Sequence, residues 1–332
     1  MRKLLFVIAA ALMVFGCTDN KPTETKYVSP APAFNEDSAF QYVADQCAFG
    51  PRVMNSAAHD SCGDYIASKF ASYGAMIYDQ YADSKLYDGT VVKMRNIIAA
   101  FNPDAEDRIL ISGHWDSRPW ADHDADEANH HTPIDGANDG GSCVGVMIEM
   151  ARQLKLSEQK GDSAFFKLHP NLGIDFICWD AEDCGTPSFA EEDPGNTWCL
   201  GSQYWAGVRH KVGYTARYGV NLDMVGAHNT VFYKEVISMM YAPSIVDKVW
   251  AAAHRIGYGK YFDYTDKPDH QITDDHLQVN QGGIPCIDLI GSDKEGMAFP
   301  TTWHTINDNI NNIDKNTLKA VGQTMLEVIW TE

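Results

Sequence analysis

From residue 108 onward the chain alternates mainly apolar runs with longer amphipathic ones. "RILISGHWDS" (108–117), "LGIDFICWDAED" (172–183), "RYGVNLDMVG" (217–226) and "IPCIDLIGS" (284–292) are apolar runs that end in polar residues, as buried strands do. The segments 139–155, 197–209, 242–257 and 316–330 place apolar residues three and four apart and predict helices. Two more helices are expected at 37–49 and 57–74, followed by extended runs at 75–81 and 91–101 that read as a hairpin pair. Strands alternating with helices of this length imply an α/β fold. It is expected to be a single domain with a twisted, mainly parallel central sheet, mixed at one edge and covered by helices. In such sheets ligands gather beyond the carboxyl ends of the strands.

The polar residues at those ends are of one kind. His114 and Asp116 close the first buried run, Asp180, Glu182 and Asp183 the second, and Asp223 the third. The turn "GANDGG" carries Asp139 ahead of a helix, and "FPTTWHTIND" carries His304. A lone strand-end Asp is usually a helix cap or turn former, and Asp139 alone would be read as a cap. Five such segments at equivalent places are a different matter, because the topology brings them to one edge. Period two puts His114 and Asp116 on one side of a strand, so that one can be a ligand and the other can orient it. Carboxylates with an imidazole suit zinc, with a position left open for substrate. The acidic, histidine-rich segment 121–135 has no ligand spacing and reads as a solvated loop near the mouth of the site.

Composition narrows the partners. With 26 basic and 45 acidic residues the net charge is −19, which argues against nucleic acid and against adhesion to anionic lipid, and suits a substrate with a free amino terminus. "MRKLLFVIAAALMVFGC" has a basic start and an apolar stretch too short to span a bilayer. It reads as a lipoprotein signal peptide (1–16), with Cys17 lipidated as the first mature residue and the only membrane attachment; ordinary secretion is the alternative. Residues 17–36, polar and with three prolines, read as a tether, and 37–332 as the catalytic domain. Export leads to a periplasmic or cell-envelope location, where disulfides form. A Cys184–Cys199 bridge is expected to pin the intervening polar loop, and the odd number of cysteines beyond Cys17 leaves at least one thiol free.

"FGPRV", "GHWDS", "GANDGG", "WDAED", "NLDMVGA", "TDDH" (273–276) and "WHTINDNINNID" (303–314) follow one another in a known order. That order resembles the zinc-dependent glutaminyl-peptide cyclases of animals and some bacteria, which share a scaffold with the co-catalytic zinc aminopeptidases. The resemblance implies that Asp139, Asp183 and His304 bind one zinc per chain. It makes Glu182 the proton carrier, in a hydrogen-bonded network with Asp223 and Asp274, and Trp303 the lining of the pocket for glutamine. The substrates it implies are peptides or exported proteins with N-terminal glutamine. The animal enzymes have a glutamate where this chain has Asp183, so the backbone must come closer to the metal here. An aminopeptidase reading instead gives His114 and Asp223 to a second zinc, with Asp139 bridging and Glu182 activating water; Asp116 then serves beside His114. Trp303 before the ligand histidine and the pair Asp274-Asp275 before His276 favour the cyclase. A binding module without activity would have lost its proton carrier, and Glu182 is intact.

Overall fold

The computed structural model describes residues 27–266, 270–294 and 299–332. The expected leader, Cys17 and the first part of the expected tether lie outside them. Residues 27–35, read as the end of that tether, instead lie against the body of the protein. The hydroxyls of Tyr27 and Ser29 donate to Glu327, and Phe34 is buried in the core against Gly322. Prolines dominated this stretch in the sequence, while its few aromatic groups decide where it sits.

The helices are α1 (Glu36–Cys47), α2 (Ala57–Ser72), α3 (Gly141–Ser157), α4 (Phe165–Leu168), α5 (Leu200–Gly207), α6 (Val236–Tyr241), α7 (Pro243–Arg255), α8 (Asp275–Gln281) and α9 (Lys315–Trp330). The strands are β1 (Met76–Lys85), β2 (Val91–Phe101), β3 (Asp107–His114), β4 (Leu172–Trp179), β5 (Tyr218–Asp223), β6 (Thr230–Lys234), β7 (Phe262–Asp266) and β8 (Cys286–Asp293). They form one sheet in the order β1-β2-β4-β3-β5-β8-β6-β7. The centre, β4-β3-β5-β8, is parallel. The hairpin β1-β2 is antiparallel and joins β4 antiparallel. At the far side β6 runs antiparallel to β8, so the sheet is mixed at both edges and not at one. The five-residue strands "TVFYK" and "FDYTD" that make this second edge are too short to show a period.

Every residue of β4, β5 and β8 is buried, which accounts for their mainly apolar runs. The exception inside β4 is Asp175. Arg108 on the neighbouring β3 meets both of its oxygens at 2.6 Å, and Tyr214 donates a further bond. A buried charge needs such a partner. Helices α1, α2, α3, α7 and α9 share the larger core on one face, while α5 and α8 pack on the other. Because β3, β4, β5 and β8 are parallel, their carboxyl ends open at one edge, and the acids and histidines collect there. Among the described residues no helix is long and apolar enough to cross a membrane.

Candidate active site

Two backbone segments deliver side chains to the site that no strand could present. Asp139 sits in the turn before α3. There Arg52, from the "FGPRV" motif, donates to the carbonyls of Trp115, Asp135 and Gly136. Asp308 accepts the amides of Asn138 and Asp139 at 2.8 and 3.0 Å. Gly140 has φ +84°, and a Cβ there would meet the Asp116 carbonyl at 2.7 Å and the His114 ring at 2.9 Å. Only glycine permits this approach.

The second segment follows β4, which ends at Trp179; residues 180–183 form a turn, not a continued strand. Asp116 accepts the amides of Glu182 and Asp183 at 3.1 and 3.2 Å. The amides of Cys199, Leu200 and Gly201, at the start of α5, donate to the carbonyls of Glu182, Ala181 and Asp180. The two acids diverge because this turn is pinned on both sides. Of the non-glycine residues with positive φ among the described residues, four are asparagines, which tolerate that region; the others are Ala181, Cys199, Met224 and His304. All four of these border the site, where surrounding contacts hold a strained backbone in place.

Asp139, Asp183 and His304 converge so that one donor atom from each lies within 4.8 Å of the others. Nε2 of His304 is 3.1 Å from Asp183 Oδ1 and 3.7 Å from Asp139 Oδ2. Donors bound tetrahedrally to zinc lie about 3.4 Å apart, given bonds of about 2.0–2.2 Å. Asp139 Oδ2, Asp183 Oδ2 and His304 Nδ1 are buried without a hydrogen-bond partner. Burial, with Arg118 nearby, pushes the pKa of His304 well below its ordinary value, so the ring is neutral and can act as a ligand. Burial also pushes Asp183 up, against the pull of Arg118, and crowded carboxyl groups of this kind are relieved by a cation. The residues fit a zinc ion.

His114 lies on the other side of Asp139. Its Nε2 is 2.9 Å from Asp139 Oδ1 and 3.3 Å from Asp223 Oδ1, and its Nδ1 is 3.5 Å from Asp116. The period-two expectation for His114 and Asp116 agrees with this. Asp223 lies between His114 and Asp274; burial, helped by the charges of Asp139 and Asp274, raises its carboxyl above the usual range. Asp274 is held by Asn221 Nδ2 at 3.0 Å and by the amide of Asp275. Asp274 still stands beside Glu182, grouped with Cys199, whose thiol donates to Glu182 Oε1 at 3.2 Å. Burial and the neighbouring Asp274, Asp183 and Asp275 push the Glu182 carboxyl well above the usual range, with His114 opposing.

A pocket of about 310 Å³ opens onto this group, lined by Glu182, Asp274, Asp139, Asp183 and His304 below and by Trp198, Ile272, Phe299 and Trp303 at its sides. Trp303 stacks on the His304 ring at 3.7 Å.

Several residues stand elsewhere than expected. Asp180 turns away from the site, bonding Nε2 of His59 at 2.8 Å and the amide of Arg95. Cys184 and Cys199 are free thiols, not a bridge, because each sulfur faces a carboxylate, Asp116 and Glu182 respectively. The loop 121–135 is only partly solvated: Asp122 is buried beside His304, and the His123 ring lies 4.4 Å from that of Trp303. Trp198, Arg118, Asp122 and Asp308 were missed, although the "WHTIND" motif contained the last.

Fold and site together define an α/β protein of the zinc-aminopeptidase architecture, with a buried carboxylate–histidine site at the carboxyl edge of its sheet. The chain belongs to peptidase family M28, whose model matches residues 96–329. It is 53% identical to the glutaminyl cyclase of Bacteroides thetaiotaomicron, solved bound to N-acetylhistamine, with a TM-score of 0.85 over 91% of this chain and 99% of that one. A structure described as a leucine aminopeptidase precursor from the same species is 52% identical, with a TM-score of 0.84 over 92% of this chain and all of that one. The glutaminyl-peptide cyclotransferase of Gloydius blomhoffii is 27% identical over 252 residues. That match covers 69% of this chain and 63% of the relative, so the chain spans less than two thirds of the relative's length.

Proposed function

We propose that the chain is a zinc-dependent glutaminyl-peptide cyclotransferase. It converts N-terminal glutamine of peptides and exported proteins to pyroglutamate with release of ammonia. The observation that carries this reading is a small aromatic-walled pocket that meets a metal triad and an acid, Glu182, in one place.

Asp139, Asp183 and His304 would hold the metal, whose Lewis acidity would polarise the γ-carbonyl of the glutamine side chain. The nucleophile is the substrate's own α-amine, which forms a bond to the side-chain amide carbon and closes a five-membered lactam. Glu182 takes the proton that the amine loses and delivers it to the departing nitrogen, which leaves as ammonia. Trp198, Phe299 and Trp303 exclude water and hold the side chain bent back on its amine, which supplies the orientation an intramolecular attack needs. Cys199 and Asp274 face Glu182 and fix its carboxyl group.

An aminopeptidase with two metals is the second reading. His114, Asp139 and Asp223 also form a buried group of donors, and that observation favours it. Against it, Nε2 of His114 is already hydrogen-bonded to Asp139 at 2.9 Å, which supports one zinc per chain, while the buried Asp223 Oδ1, 3.3 Å away, has no hydrogen-bond partner and leaves room for the two-metal reading. Gln-initiated dipeptides are expected to release ammonia with the peptide bond intact, and leucyl substrates to remain uncut. Free amino acids from leucyl peptides, without ammonia from glutaminyl ones, would establish the aminopeptidase instead.

The catalytic body is proposed to be exported behind the leader 1–16 and anchored through a lipid on Cys17. Cys17→Ala is expected to move the protein from the membrane fraction to the soluble one. If the variant stays with the membranes, the anchor lies elsewhere.

A further inference from the structure

We propose that Arg118 is a positioning residue for the metal site, holding Asp183 directly and His304 through Asp122. The proposal rests on the reading that Asp139, Asp183 and His304 bind zinc.

Arg118 follows β3 and is 1% exposed. Its Nε and Nη2 meet the two oxygens of Asp122 at 2.6 and 2.8 Å, a fork-to-fork pair. Its third nitrogen, Nη1, points the other way and donates to the backbone carbonyl of Asp183 at 3.1 Å and of Gly185 at 3.4 Å, with Asp183 Oδ1 at 3.5 Å. The planar group is clamped between Trp198 at 4.7 Å and Trp120 at 5.5 Å. Asp122 Oδ1 in turn lies 3.6 Å from Nδ1 of His304, a buried nitrogen without a hydrogen-bond partner. His304 Nε2 faces Asp183. The four side chains close a ring, His304 to Asp122 to Arg118 to Asp183, in which two proposed ligands are joined behind the metal by one ion pair.

A guanidinium beside a cation site is not there to attract the metal, since the charges are alike. As a purely structural feature, a buried ion pair could be replaced by apolar side chains at little cost. What apolar groups could not supply is a donor to the carbonyls at 183 and 185. Asp183 has one methylene fewer than glutamate, so its carboxylate reaches about 1.5 Å less far from the backbone, roughly one C–C bond. The backbone must therefore be held near the metal. Asp116 grips it at the amide of Asp183 and Arg118 at the carbonyl. Asp122 stands 3.6 Å from the second nitrogen of His304, longer than a hydrogen bond but on the side where a metal-bound histidine commonly meets a carboxylate that orients it.

Arg118→Lys separates these roles, because lysine keeps the charge opposite Asp122 but has no planar fork to reach both neighbours at once. Zinc affinity of the purified full chain, measured by competition with a chromophoric chelator, is expected to fall about 10-fold to 100-fold. Adding Asp183→Glu to that variant is expected to recover most of the loss, since a longer arm needs less help from the backbone. Asp122→Asn, which preserves the shape of the pair, is expected to weaken zinc binding with the melting temperature of the chelated protein little changed. Affinity within twofold of wild type in Arg118→Lys and Asp122→Asn overturns the proposal, and so does a loss that Asp183→Glu leaves unrepaired. A wild-type chain that takes up no zinc would overturn the site reading itself, and this inference with it.

Discussion

Glu182→Gln is expected to lower kcat for cyclisation at least about 100-fold, the lower bound typical of lost general acid–base catalysis, while zinc content stays at the wild-type level. The two halves of this result come from the geometry of one turn. Glu182 and Asp183 are adjacent, yet Asp183 joins Asp139 and His304 while Glu182 joins Cys199 and Asp274. The amide of glutamine has nearly the shape of the carboxylate and can keep the contact with Cys199, so the turn and the triad are left in place. What it cannot do is accept a proton from the substrate amine and release it to the departing nitrogen. Burial and three nearby acids raise the Glu182 carboxyl well above the usual range, which suits a group that must both take and give a proton. The check is steady-state ammonia release together with metal analysis of the same preparation. A kcat within tenfold of wild type would remove Glu182 from the proton path, and loss of zinc would make it a ligand.

How far the sequence revealed this site follows from which signals are local. His114, Asp116, Asp139, Glu182, Asp183, Asp223 and His304 were legible because apolar runs end at them or glycines surround them, and parallel topology then brings such ends together. Arg118 and Asp122 were not legible, since their roles depend on contacts with residues more than 60 positions away. The turn at 180–183 could not be told from a continued strand, because Ala181 at φ +52° carries no sequence mark. The two side chains still fall in different groups, as a strand would have placed them, but the turn is what parts them. The pairing of Asp223 with His114 depends on side-chain direction at the end of β5, which a period of two leaves open. The second mixed edge was hidden by brevity: β6 and β7 have five residues each. The Cys184–Cys199 bridge failed on environment, since loop spacing says nothing about the carboxylates that both thiols face.

Removing the metal is expected to reduce cyclisation about 1000-fold, with full recovery at one equivalent of zinc. Lewis-acid activation is worth several kcal/mol, and about 4 kcal/mol corresponds to three orders of magnitude in rate. The stripped site keeps buried oxygens on Asp139 and Asp183 without partners, so zinc should also stabilise the fold. At free zinc about 1000-fold above its Kd the gain is about 4 kcal/mol, read as a higher melting temperature. The number of equivalents decides between the two enzyme readings, and Asp223→Asn makes the decision sharper. If His114 and Asp223 only support Asp139 and hold no second metal, the asparagine leaves zinc content at one per chain. In a two-metal site the same change removes a ligand, and zinc content falls from two towards one. Two tightly held zinc ions in the wild type, with both needed for activity, would therefore move His114 and Asp223 from supporting the site to binding metal. The cyclase reading would then have to stand on the ammonia assay alone.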